Sequence, residues 1–156
     1  MAQTATMHRF EIQLADCDRD VHDNLELRVA RHPSETLRYL LVRVLARCLE
    51  HSVTPGEQLD FSPGGVSSPE YPALALSDPT GAMLRWIDVG EPAPDRVHKA
   101  TAAAPDVAIY AHRRPVILLD ALRAADLRRA ERVRVHAFDD TFLDALHEVT
   151  GRRDTW

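Results

Sequence analysis

Residues 81–100, GAMLRWIDVGEPAPDRVHKA, decide how the chain folds on paper. Met83 to Val89 alternates as a strand, with Leu84, Trp86 and Asp88 on one face and Met83, Arg85, Ile87 and Val89 on the other. Asp88 thus closes the strand beside a tryptophan, either as a polar cap on a core or as an acid held for chemistry. Gly90 ends the strand, and Pro92 and Pro94 lead into a helix from about Asp95, because proline suits a first helical turn. That helix carries Lys99, the sole lysine in a chain otherwise basic through arginine. A desolvated lysine can release its proton and arginine cannot, so the position invites chemistry, although an exposed helical lysine is ordinarily a solvated charge. An acid at a strand end and an amine on the following helix can hold a divalent cation and activate a water.

Outward from this stretch the pattern is α/β. Downstream, Asp106 to Ala111 is a nearly continuous apolar run, as in a strand covered on both faces, so residues 83–111 read as a parallel strand–helix–strand crossover. Pro115 opens a helix with Val116, Leu119 and Leu122 inward. Val133, Val135 and Ala137 alternate as a last strand, and Asp139 or Asp140 caps a final helix with Phe142, Leu143, Leu146 and Val149, ended by Gly151. Upstream, Leu74 to Ser77 is a short strand, and Asp78-Pro79-Thr80-Gly81 is the turn out of it. Residues 52–72, rich in proline and glycine, form a long loop with one short strand at Leu59 to Ser62.

At the amino end, Met7–Leu14 and Asn24–Ala30 alternate around the polar stretch ADCDRDVHD, which reads as an antiparallel hairpin. Pro33, Ser34 and Glu35 signal a helix start, with Glu35 placed to complement the positive helix end. Leu37, Leu40, Leu41, Val44, Leu45, Cys48 and Leu49 then trace one buried helical stripe. The expected fold class is α/β: a single domain over residues 1–156, with a mixed β-sheet flanked by helices and an N-terminal antiparallel hairpin.

Composition sets limits. A chain of 156 residues, 45% hydrophobic and 28% charged, is long and apolar enough for a proper core. No apolar run reaches the ~20 residues that span a bilayer, and MAQTATMHRF lacks the apolar centre of a signal peptide, so no membrane association and a cytoplasmic location are expected. Cys17 and Cys48 have no paired spacing, and Cys48 falls on the buried stripe. A net charge of −5 argues against a general nucleic-acid coat. Arg113, Arg114, Arg123, Arg128, Arg129, Arg132 and Arg134 nevertheless crowd one region, as a patch for phosphates or as a helix face laced with ion pairs. The eight histidines show neither HxxxH nor HxH spacing.

Four stretches carry a family resemblance: Ala15-Asp16-Cys17-Asp18-Arg19, Ala30 to Thr36 (ARHPSET), Trp86-Ile87-Asp88-Val89-Gly90, and Arg96-Val97-His98-Lys99-Ala100. In order and spacing, from about residue 4 to 150, they resemble the YaeQ family. That family is similar in fold to a variation of the PD-(D/E)XK nucleases, which cut nucleic acid with Mg²⁺ and paired acids. The resemblance implies a Mg²⁺-dependent nuclease-like protein acting on DNA or RNA, with Glu35, Asp88 and Lys99 as catalytic candidates. Asp88 matches the acid of the Trp-Ile-Glu/Asp-x-Gly element, Glu35 the helix glutamate, and Gly90 stands where the signature places its lysine, leaving Lys99 to supply the amine. The departure is Ala73, in Pro72-Ala73-Leu74, where an acid is expected; Glu70 or Asp78 would have to join Asp88 and Glu35 as metal ligands. The alternative is a catalytically impaired relative that keeps the fold as a nucleic-acid or protein interaction module.

Overall fold

The computed structural model describes residues 5–62, 68, 70–150 and 153–155. Strands β1 (Thr6–Asp16) and β2 (Val21–Arg31) form the expected hairpin, paired in register from Thr6–Arg31 to Asp16–Val21. Most of the polar stretch between them is therefore ladder, not loop. The turn shrinks to residues 17–20, where Asp20 takes a left-handed φ of 52° and the Asp16 carboxylate accepts the N–H groups of Asp18 and Arg19.

Helix α1 (Leu37–Val53) begins two residues later than Glu35, because Thr36 is the cap and its hydroxyl accepts the N–H of Tyr39. Glu35 thus precedes the helix instead of lying in its first turn. Strands β3 (Leu59–Phe61), β4 (Leu74–Ser77) and β5 (Met83–Val89) follow, with the Asp78 carboxylate accepting the N–H groups of Thr80 and Ala82 to close the turn. Residues 63–67 and 69 of the expected loop, including Gly64 and Gly65, lie outside the described residues, as does Gly151.

Helix α2 (Pro94–Ala103) has proline at its first position, and strand β6 (Asp106–Ala111) completes the crossover, parallel to β5. Helix α3 (Pro115–Ala124), a short 3₁₀ turn (Ala130–Arg132), strand β7 (Val133–Ala137) and helix α4 (Asp140–Val149) come next, with Asp139 capping α4 through the N–H of Phe142. A three-residue β8 (Arg153–Thr155), which no sequence signal announced, pairs parallel to β1.

The strands form two sheets, not one: β2-β1-β8, and a mixed sheet of order β3-β4-β5-β6-β7. Helix α1 lies between them, which explains why it is buried on more than one stripe. Leu40, Leu41, Val44 and Cys48 pack on Phe10, Ile12, Leu27 and Val29 of the hairpin. Val42 and Ala46 pack on Leu74, Ile87, Val89 and Tyr110 of the larger sheet. Each fully buried leucine contributes about 2 kcal/mol, and truncating Leu41 to alanine would cost about 2–5 kcal/mol. Burial also pushes the Cys48 thiol up to about 11, against the pull of neighbouring Arg47. Helices α2 and α3 cover the opposite face of the larger sheet, through Trp86, Val97, Ala100, Val107, Ile109, Leu118 and Leu122. In α3 it is Leu118 and Leu122, four residues apart, that face inward; Val116 is 67% exposed, because the pair that meets Val97 and Ile109 fixes the helix rotation. No helix among the described residues is long and apolar enough to cross a membrane.

Candidate functional site

Alternation along β5 sends Ile87 and Val89 toward α1 and Trp86 and Asp88 toward α2. The Asp88 side chain is buried, and both of its carboxylate oxygens are engaged. One oxygen accepts the Trp86 indole N–H at 2.9 Å and Arg96 Nε at 2.8 Å, and the other accepts Arg96 Nη2 at 2.8 Å. This forked pairing is the strong geometry for a guanidinium and a carboxylate. Arg96 also lies over the Trp86 ring, 5.4 Å from its centroid, and donates to the carbonyls of Ser68 and Tyr71. It therefore ties the loop before β4 to α2 and β5.

Lys99, three residues on and on the same side of α2, donates to Glu70 Oε2 at 3.0 Å, both side chains being largely exposed. Asp88, Lys99 and Glu70 thus share one neighbourhood, joined through Arg96 and its loop. Glu35 does not. It lies on the α1 side of the sheet, in a fully buried pair with Arg43 at 3.1 Å, and accepts the N–H of His32 at 3.1 Å. Burial raises its carboxyl above the ordinary range, opposed by Arg43 and the His32 N–H. Asp78 is spent on its exposed turn, where hydrogen bonds from Thr80 and Ala82 hold its pKa low. Ala73, just before β4, offers only a buried methyl. Among the described residues, no group of three or more His, Cys, Asp or Glu side chains is arranged to hold a metal ion.

A concave feature opens on the α1 side, past the carboxyl ends of β5 and β6, where open α/β sheets ordinarily take ligands. It is a cavity of about 320 Å³ lined by Ser34, Glu35, Thr36, Tyr39, Val89, Gly90, Glu91, His112 and Arg113. Gly90 turns the chain out of β5 with φ 94°, a conformation that favours glycine. This brings Glu91 under the loop after β6, where Oε1 accepts three backbone N–H groups, from His112 (3.2 Å), Arg113 (2.9 Å) and Arg114 (3.2 Å). Partial burial would raise the Glu91 carboxyl, but the three donors and His112 hold it below its ordinary value. Burial lowers the pKa of His112, whose ring stands edge-on to Tyr39.

At the opposite ends of the same strands lies a second charged cluster. Glu50 of α1, wholly buried, pairs with Arg85 at 3.1 Å and Arg134 at 3.3 Å, and accepts the Tyr110 hydroxyl at 2.6 Å. Asp106 binds the same two arginines at 2.6 and 3.1 Å. Arg134 is thereby removed from the expected arginine patch. Arg129 and Arg132 donate to the Thr101 carbonyl, and Arg123 pairs with Asp120. Arg113, Arg114 and Arg128 are exposed, and their guanidinium groups have no partner among the described residues.

Sequence reasoning missed Arg96, Glu91 and the Glu50 cluster. Arg96 stands in the quoted stretch, three residues before Lys99, and a buried strand-end acid calls for a forked donor; that signal was legible. Glu91 has none, because its partners are backbone N–H groups.

Comparison with known proteins agrees with this architecture. The family described as YaeQ protein matches residues 1–156. The chain is 36% identical over 112 residues to the uncharacterized protein YaeQ of Salmonella typhi, and 35% identical to that of Escherichia coli strain K12. These matches cover 72% of this chain and 59% of each relative, so the chain spans about three-fifths of the length of the curated relatives it matches. The crystal structure of YaeQ protein from Xanthomonas axonopodis pv. citri superposes with a TM-score of 0.83 at 31% identity, covering 97% of this chain and 84% of that one. That from Pseudomonas syringae gives 0.83 at 29% identity, with 97% and 82% covered. The chain belongs to the YaeQ family.

Proposed function

We propose that this chain is a nucleic-acid-binding module that keeps a nuclease-like fold without metal-dependent cleavage. The observation that carries this is the Asp88 carboxylate, which already receives three hydrogen bonds from Arg96 and Trp86. A divalent cation bound there would sit beside a permanent guanidinium charge. At about 5 Å and an effective dielectric of about 20, that repulsion is about 7 kcal/mol. The other candidate ligands weigh the same way: Glu35 is matched to Arg43 across the sheet, Asp78 is held in its turn, and Ala73 offers no ligand. Lys99 then serves as a tether to Glu70, not as an activating amine.

Binding falls to the exposed Arg113, Arg114 and Arg128, which flank α3. Three arginines beside a net charge of −5 support weak, salt-sensitive contact with phosphates, with a slope of about −2 to −3 in log K against log salt. The test is incubation of labelled DNA and RNA with the protein and Mg²⁺ or Mn²⁺, alongside Asp88→Asn and Lys99→Ala. The expected result is intact nucleic acid and salt-sensitive binding that Arg113→Ala with Arg114→Ala weakens. Metal-dependent cleavage abolished by Asp88→Asn would refute the proposal, as would the absence of binding at low salt.

A further inference from the structure

We propose that the cavity at the carboxyl ends of β5 and β6 is a site for a phosphate monoester group, whose place in the backbone cradle is held by the Glu91 carboxylate. Three successive N–H groups, of residues 112–114, converge on one Glu91 oxygen, which is a concave oxyanion cradle already formed. The ten-residue helix α3 starts at the next residue with no side-chain cap and no acid in its first turn, so its positive end adds to the cradle. Glu91 is exposed on the turn between Gly90 and Pro92, and its side chain can swing into solvent without disturbing the core.

The independent observation is His112. The residue is only 3% exposed, it lines the cavity, and neither ring nitrogen has a hydrogen-bond partner among the described residues. Nδ1 is sealed from solvent, whereas Nε2 is turned toward Gly90 on the cavity wall. Buried polar groups are nearly always paired, so a buried imidazole with no hydrogen-bond partner, and with Nε2 toward the cavity wall, points to a ligand that completes it. At the rim, the Arg113 guanidinium also has no partner among the described residues. A phosphate dianion offers three terminal oxygens to these donors, where Glu91 offers two and one charge. A space of about 320 Å³ holds more than the group itself. The phosphate can come from a small metabolite or from the 5′ end of a nucleic acid. The site stands whether or not the arginines around α3 bind nucleic acid.

The test is an amide-resolved NMR titration of the folded protein with inorganic phosphate, then with a short oligonucleotide bearing a 5′-phosphate or a 5′-hydroxyl. Saturable shifts of the Arg113 and Arg114 amides are expected. Glu91→Ala should tighten phosphate binding by about tenfold or more, and His112→Phe should weaken it. Shifts caused by the 5′-phosphate but not the 5′-hydroxyl identify a nucleic-acid end as a source; shifts with inorganic phosphate alone identify a small phosphate. Glu91→Gln, which keeps an oxygen in the cradle without its charge, reads out the same gain if the alanine variant fails to fold. Amides that stay put with both phosphate probes, or affinity unchanged by removing the Glu91 charge, would overturn the proposal.

Discussion

At the amino ends of β5 and β6, Glu50 and Asp106 face Arg85 and Arg134, and the Tyr110 hydroxyl completes the set. At the carboxyl ends of the same strands, Glu91 takes its hydrogen bonds from backbone N–H groups while neither ring nitrogen of the buried His112 has a hydrogen-bond partner among the described residues. The first cluster is closed: two acids meet two bases. The second leaves the His112 ring over, and the Glu91 carboxylate that takes its backbone donors stands on an exposed residue. Ionic groups that satisfy one another fix a fold; donors left unsatisfied beside a cavity are capacity for a ligand. The Asp88–Arg96 pair belongs with the closed cluster in chemistry, although it lies near the open end.

The largest effect expected from this contrast is at the closed end. Glu50→Ala leaves two partly buried guanidinium groups to share the single Asp106 carboxylate and takes the acceptor from the buried Tyr110 hydroxyl, and should cost about 3–5 kcal/mol in urea unfolding. A loss under about 1 kcal/mol would mean that the cluster is not closed. Asp88→Asn comes next. An amide cannot take both Arg96 donors as a carboxylate does, so about 1–3 kcal/mol should be lost, together with the downfield position of the Trp86 indole N–H in NMR spectra. Smallest is Glu91→Gln, at about 1 kcal/mol or less near neutral pH. Its value lies in its pH dependence. The folded Glu91 carboxyl lies below its ordinary value of 4.5, so its contribution is complete above that pH and is lost as pH falls through the folded value. The wild type should therefore lose stability on acidification more steeply than Glu91→Gln in that window, and equal acid limbs would show that the cradle does not hold the carboxylate.

How far the sequence disclosed this molecule differs from element to element. Strand β5 and the proline start of α2 follow from period-two alternation and proline geometry, which act over a few residues. The parallel crossover followed from the apolar run at 106–111. Two features depend on partners distant in sequence, and no local pattern carries them. Helix α1 sits between two sheets, so its single predicted stripe became two buried faces; and β8 is only three residues laid beside β1. Within the candidate site, Asp88 and Lys99 were placed in one neighbourhood, with Glu70 close to Lys99. Alternation puts Asp88 on the face opposite Ile87 and Val89, but that α1 covers the Ile87 face, and so leaves Glu35 on the other side, is set by packing that the strand pattern does not carry. The Glu91 cradle was not legible either, because it is made of backbone N–H groups from a loop about twenty residues later.

The most direct test of whether Arg96 has taken the place of a metal is the Trp86 indole N–H, which donates to Asp88 and is one of only two indole signals in the chain. With Mn²⁺ titrated into the protein, a paramagnetic ion on Asp88 would erase that signal before most others. The account predicts that the Trp86 indole resonance persists unbroadened while Mn²⁺ relaxes only exposed acidic surface. Selective loss of that resonance at low Mn²⁺, reversed by Mg²⁺, would contradict it and return Asp88 to metal chemistry.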